Sequence, residues 1–205
     1  MKSQMLIPVE HRQQLTKYLA DRHFDIGHGY RTARYAACFG LALGLASLQM
    51  AQLCNAALLH DFGKLQLPHK LLSKKGALTT TERNTVDTHT HLGAMLLSEI
   101  DSSYFHTASI VALTHHERWD GSGYPDGISG HSIPLFSRIT TISDVFDALT
   151  TARSYKHAWS ISGAIRFIDK GSEKLFDPGL VALFHSALPN ILLIYRQRMI
   201  ERINH

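Results

Sequence analysis

The chain has 205 residues, 14 of them histidine, and its 21 Lys and Arg against 17 Asp and Glu leave a formal net charge of +4 with histidine neutral. That length suits one domain whose core needs no disulfide or structural metal, and a second catalytic domain does not fit beside it. The mild positive balance suits a small anionic substrate, and no basic run interleaved with aromatics argues for nucleic acid.

In chain order, Met1 to Glu10 lacks the sustained apolar region of a signal peptide. Residues 10 to 22 predict a polar amphipathic helix, and 28 to 45 continue with small and apolar residues. The most lipid-like stretch, Ala36 to Ala51, is shorter than the roughly 20 residues of a spanning helix and contains Gly40, Gly44, Ser47 and Gln49. A cytoplasmic protein without a membrane segment is therefore expected. Ser47 reads as the cap of the next helix, where Met50, Leu53, Cys54, Ala57 and Leu58 recur at helical spacing before His60. Cys38 and Cys54 lie in apolar helical contexts without Cys-x-x-Cys spacing, as reduced core residues do.

Gly63 and Pro68 break that helix, Leu71 to Gly76 form a turn, and Thr79, Thr80 or Thr81 with Glu82 caps a helix running to about Ile100. A helix from about Tyr104 carries His115 and His116 near its end. Residues 118 to 133, rich in Gly and Pro, read as a long loop of the kind that is usually functional. Pro134 opens a helix to about Thr150, and shorter helices near 160 to 170, 178 to 186 and 190 to 203 close the chain. The last, with Leu192, Tyr195, Met199 and Ile203 on one face, offers either a dimer seam or a face packed on its own domain. With no strand, repeat or linker in sight, an all-α single domain over residues 1 to 205 is expected.

The chemistry sits in a few words. Imidazole and carboxylate are the ligands that borderline divalent metals prefer, and an Asp can bridge two ions. Adjacent His60 and Asp61 can hold one metal while Asp61 reaches a second. His115 and His116 resist a packing explanation, because helix neighbours point about 100° apart. A lone histidine is more often structural or solvated; the joint pattern reverses that expectation.

The words His60-Asp61-Phe62-Gly63-Lys64, His115-His116-Glu117-Arg118, Asp120-Gly121-Ser122-Gly123-Tyr124-Pro125 and Asp144 to Thr150 resemble the HD-GYP family, a branch of the HD metal-dependent phosphohydrolases. Arg138, Arg153 to Lys156 and Phe176-Asp177-Pro178 fit the same pattern, and the resemblance covers roughly residues 20 to 187. It implies a helical bundle of HD type with a long GYP loop. It assigns metal ligands to His28, His60, Asp61, His89, His115, His116 and Asp144, with Gly93 four residues after His89 selecting that histidine over His91. Gly29 stands where the family commonly has a small hydroxyl residue after the first ligand. One division of these types puts an ion on His28, His60, Asp61 and Asp144 and another on His89, His115, His116 and the bridging Asp61.

Lys64, one turn after Asp61, is placed to donate to a phosphate oxygen or leaving group. The resemblance implies that Asp147, one turn after Asp144, supports a ligand or orients the attacking water. By the resemblance Arg153 and Lys156 grip phosphates, whereas the bland reading makes Lys156 part of a solvated face. Gly123 and Tyr124 contact substrate, or their loop is a surface for partner proteins. Some relatives of this kind add a third ion through a Glu four residues before the first His; here that position is Phe24, with Asp25 one residue later, so two ions are expected. Iron or manganese suits such a set best, with zinc, nickel and cobalt compatible. The implied reaction is hydrolysis of a cyclic dinucleotide, cyclic di-GMP first, to pGpG and on to GMP. Rival readings are an HD nucleotide phosphohydrolase with one metal, a binding or interaction module without turnover, and an enzyme for the mixed GMP–AMP form.

Overall fold

A computed structural model describes residues 25 to 100, 103 to 152 and 157 to 203. The amphipathic helix expected over residues 10 to 22, together with Phe24, Arg153 and Lys156, lies outside them. The architecture is all-α: α1 (Ile26–Ala42), α2 (Ser47–Leu59), a 3-10 turn (Phe62–Gln66), short α3 (His69–Leu72), α4 (Thr80–Asp87), α5 (His89–Ser98), α6 (Ser103–Thr114), α7 (Leu135–Thr150), α8 (Ile161–Lys170) and α9 (Pro178–Ile203). No strand forms among the described residues; Ser172 and Phe176 make an isolated bridge.

The core lies where α1 and α2 pack on α6, α7 and the first half of α9. Phe146 is its hub, with Tyr35 edge-on at 5.2 Å between ring centroids and Phe184 at 5.6 Å. Phe39 stacks on Phe184 at 6.3 Å. Such offset and edge-to-face pairs add about 0.5–1.5 kcal/mol each beyond burial. The two cysteines are buried and unpaired.

Several helix ends differ from the sequence reading. Ser47 is the first helical residue rather than the cap; the cap position is Ala46, whose N–H donates to the Gln49 side chain at 3.2 Å. Thr79 caps α4 as expected, and its own N–H donates to the Glu82 carboxylate at 2.8 Å. The helix expected to run to Ile100 is interrupted at Thr88. There the Thr88 hydroxyl donates to Thr85 O at 2.7 Å and the Thr90 hydroxyl to Asp87 O at 3.0 Å, side chains competing for helix carbonyls.

The two closing helices expected on either side of Pro189 are one helix. Pro189 removes an intrahelical bond at a cost of about 3 kcal/mol. It is exposed, however, and Phe184, Ala187 and Ile191 on the opposite stripe are all buried, so core packing holds both halves in line. Among the described residues, a run long and apolar enough to cross a membrane by length and composition is Pro178–Gln197 in this helix; Ala36 to Ala51, read as too short, is not such a run.

Close backbone approach at Gly63 locks the 3-10 turn onto α5. A Cβ there would stand 1.9 Å from His89 O and 2.4 Å from Gly93 N. Gly63→Ala should therefore lower stability by about 2 kcal/mol or more and shift His89. Thermal unfolding of the variant beside the parent checks this, and an unchanged melting temperature would contradict the packing.

Candidate metal centre

Both adjacent pairs of donor residues stand where a helix stops. α2 ends at Leu59, so His60 is its last cap and Asp61 begins the 3-10 turn. α6 ends at Thr114, so His115 and His116 escape the divergence of helix neighbours, and their rings lie 4.1 Å apart between centroids. The first histidine instead sits inside α1, whose N-cap Asp25 accepts from the His28 N–H at 2.9 Å. Asp25 is thus committed to capping.

Two groups result. Donor atoms of His28, His60 and Asp144 all lie within 4.8 Å of one another, as do those of Asp61, His89, His115 and His116. Asp61 faces both. Its Oδ2 is 3.5 Å from His60 Nε2, while its Oδ1 is 3.4 Å from His89 Nε2 and 3.8 Å from His115 Nε2. The structure buries His89 in this cluster and leaves His91 exposed.

Four imidazoles are anchored alike. His60 Nδ1 donates to Ala57 O at 2.8 Å, His89 Nδ1 to Val86 O at 2.7 Å and His115 Nδ1 to Ala112 O at 2.9 Å, while His28 Nδ1 meets Asp147 Oδ2 at 2.7 Å. In His60, His89 and His115 this fixes the tautomer so that the Nε2 lone pair points inward, the outer-shell arrangement of metal-binding histidines, whereas His28 Nε2 meets Asp144 Oδ1 at 2.9 Å. His89 and His115 Nε2 are 3.4 Å apart with no proton between them to share. His60 Nε2 and Asp61 Oδ1 are buried without a hydrogen-bond partner. Buried lone pairs and negative charge in this state call for cations, and the donor set fits divalent ions.

Electrostatics agree. Burial opposes charge on Asp61 and Asp144, yet Lys64 and His60 hold Asp61, and His28 and His60 hold Asp144, well below the usual carboxylate range. Burial, then the neighbouring imidazoles, lowers His115; burial lowers His89 and takes His116 down to about 3. His28 is the exception: burial works against its charge, but Asp144 and Asp147 outweigh it and raise the pKa to about 9.

Of the other expected residues, Lys64 Nζ is 2.5 Å from Asp61 Oδ2. Asp147 is fully buried between His28 and Arg31, whose Nε and Nη2 donate at 2.7 and 3.0 Å. Tyr124 stacks on His116 at 4.8 Å between centroids and 25° between planes. Burial, then the nearby Asp87 carboxylate, pushes its hydroxyl pKa upward. Gly123, read in the sequence as a substrate contact, makes a close approach to the protein's own backbone: a Cβ would stand 2.4 Å from Arg118 N and 2.6 Å from His116 O.

The contacts of Glu117, Arg31 and Thr141 come from the folded structure. Glu117 Oε1 accepts from Asp126 N at 2.7 Å and Gly127 N at 3.1 Å, tying the loop to the end of α6. The Thr141 hydroxyl donates to His115 O at 2.7 Å. Arg31 does carry a signal, one helical turn after His28. Arg138 and Asp177 pair with each other, and Arg138 Nε donates to Ile133 O at 2.8 Å, so those words of the family pattern brace the loop's exit.

Asp147→Ala should weaken metal binding by about 10- to 100-fold through loss of the His28 anchor. Metal titration of the stripped protein measures this, and undiminished affinity would remove Asp147 from the centre.

A family model described as HD domain matches residues 11–180. The chain is 42% identical over 151 residues to the cyclic di-GMP phosphodiesterase response regulator RpfG of Xanthomonas campestris pv. campestris (strain 8004), covering 74% of this chain and 40% of that protein. It is 37% identical over 163 residues to a cyclic di-GMP phosphodiesterase of Thermotoga maritima, covering 80% and 44%. A solved structure of a cyclic GMP-AMP specific phosphodiesterase of V. cholerae superposes with a TM-score of 0.59 at 25% identity, covering 80% of this chain and 45% of that one. The chain therefore spans less than half the length of these relatives. It belongs to the HD domain family, as the HD-GYP resemblance of its motifs implies.

Proposed function

We propose that the chain hydrolyses a phosphodiester bond of a cyclic dinucleotide with two divalent cations, taking cyclic di-GMP to pGpG and on to GMP. The observation that carries this reading is Asp61, whose two oxygens face the two donor groups and so can bridge an ion held by each. Relatives bearing the names of cyclic di-GMP and cyclic GMP-AMP phosphodiesterases support the substrate class.

The ions supply Lewis-acid polarisation of the phosphate and activation of water. Iron or manganese suits five imidazoles and two carboxylates best, and zinc, nickel or cobalt is compatible. His28, His60, Asp61 and Asp144 would hold one ion; Asp61, His89, His115 and His116 would hold the other. Lys64, beside Asp61 and partly exposed, turns its ammonium to a phosphate oxygen or the leaving group. Asp147 fixes His28. Gly123 lets the loop fold onto the His116 backbone and so brings Tyr124 to the substrate side. Arg153 and Lys156 are assigned to the phosphates by the family resemblance alone. Residues 1 to 205 form one cytoplasmic HD-type unit in this reading, with the GYP loop and the last helix as its candidate contacts with partners or a second copy.

The single-metal nucleotide phosphohydrolase is disfavoured by the second donor group, and a module without turnover by the complete donor set. Incubation with cyclic di-GMP, the mixed GMP–AMP form and a mononucleotide, with products resolved by chromatography, separates these. Asp61→Ala should bring turnover to background and reduce bound metal; full activity of a folded Asp61→Ala protein would defeat the assignment. Anomalous scattering should show two sites, and a third touching Asp25 would refute the count.

Tyr124 both stacks on His116 and borders the space beside it. Tyr124→Ala should accordingly slow a small chromogenic phosphodiester as well as the cyclic dinucleotide, with the larger loss on the dinucleotide. A spared small substrate would show that His116 does not depend on the ring.

A further inference from the structure

Beside His116 a cavity of about 290 Å³ opens between the GYP loop, α7 and α8. His116 and Tyr124 form the wall it shares with the metal centre, and Val145, Leu149, Phe167 and Leu175 line it away from that centre. Its size falls just under the roughly 300–1,000 Å³ of small-molecule sites, so it admits one ring system and not a whole dinucleotide. Its lining is largely aliphatic and aromatic, which favours a flat, weakly hydrated group over a phosphate or a ribose.

At this cavity stands Arg118, exposed, whose guanidinium makes a long 3.4 Å contact with Ser122 Oγ and feels the Asp120 carboxylate, with no short ion pair among the described residues. A guanidinium donates to two acceptors side by side, as guanine presents at O6 and N7; adenine offers a donor beside its N7 and cannot receive both. We infer that this cavity takes one guanine base of the substrate, gripped by the apolar wall of α7 and α8 and read by Arg118, while the adjoining phosphate lies on the metal centre. The inference rests on the phosphodiesterase reading and adds to it the group that sets base preference.

The test uses the metal-loaded full chain hydrolysing a small chromogenic phosphodiester, with GMP, AMP and ribose 5-phosphate as competing inhibitors. GMP should compete about tenfold or more tightly than ribose 5-phosphate, the size of effect expected from seating one base on aromatic side chains. Val145→Phe, which fills the cavity from α7, and Phe167→Ala, which removes its far wall from α8, should each collapse that advantage while ribose 5-phosphate keeps its affinity. Arg118→Met, which removes the donors, should bring GMP and AMP together.

Equal inhibition by GMP and ribose 5-phosphate, or an advantage that survives both cavity variants, would overturn the base site. AMP competing as tightly as GMP in the parent would overturn the guanine assignment. The ribose 5-phosphate constant reports in every variant whether the metal centre is intact. Failure of the parent to hydrolyse any phosphodiester would instead defeat the underlying reading.

Discussion

The fold is organised around a buried carboxylate that has to find positive charge on both sides. Asp61 is 9% exposed, and its Oδ1 accepts no hydrogen bond. An isolated carboxylate so placed would neutralise by taking up a proton. Lys64 and then His60 prevent this by holding its pKa down. The imidazoles in turn are kept neutral by burial at His89, His115 and His116. Ionised carboxylates among unprotonated rings are the protonation state in which metal ligands work, so the site's own electrostatics prepare it for cations. His28 differs because it sits between Asp144 and Asp147, and a cation arriving at Nε2 must displace a proton there.

Helix termination is the device that assembles this charge. Neighbouring residues within a helix cannot share a target, yet His60 with Asp61 and His115 with His116 do so because each pair falls just past a last helical turn. The price of such ends is freed backbone groups, and the histidines themselves absorb several: Nδ1 of His60, His89 and His115 each takes a carbonyl three residues earlier. One ring thereby caps a helix end with one nitrogen and presents a ligand atom with the other. Glycines then allow the elements to close up, Gly63 against His89 and Gly123 against His116.

Much of this was legible in the sequence because the donor residue types occur in words too unusual for packing to explain, and because helical periodicity and a capping Thr79-Glu82 pair are local signals. What the sequence reading missed depends on tertiary packing or on short-range competition. Pro189 suggested a break, but burial of Phe184 and Ile191 on either side outweighs the lost hydrogen bond. The interruption at Thr88 comes from hydroxyls bidding for helix carbonyls, a contest that composition alone does not decide. Glu117 looked like part of a motif, and only the folded loop shows it receiving two backbone N–H groups nine and ten residues on. The assignment of Ser47 as a cap failed by one residue, because Gln49 supplies the capping oxygen from inside the helix.

Helix α7 joins the two halves of the site. Asp144 and Asp147, one turn apart, address the histidines of α1 and α2, while Val145 and Leu149, one turn apart on the adjoining stripe, line the cavity. Successive helical residues point about 100° apart, so these two stripes form the corner of a single rigid rod. The rod is itself held on two sides. The Thr141 hydroxyl fastens it to the chain at His115, and Phe146 fastens its opposite face into the core. A group seated against Val145 and a phosphate held through Asp144 would therefore have a fixed separation, set by backbone geometry rather than by a mobile loop. Reaction rates depend steeply on such positioning, and a rigid element holds it to tighter tolerance than a loop does.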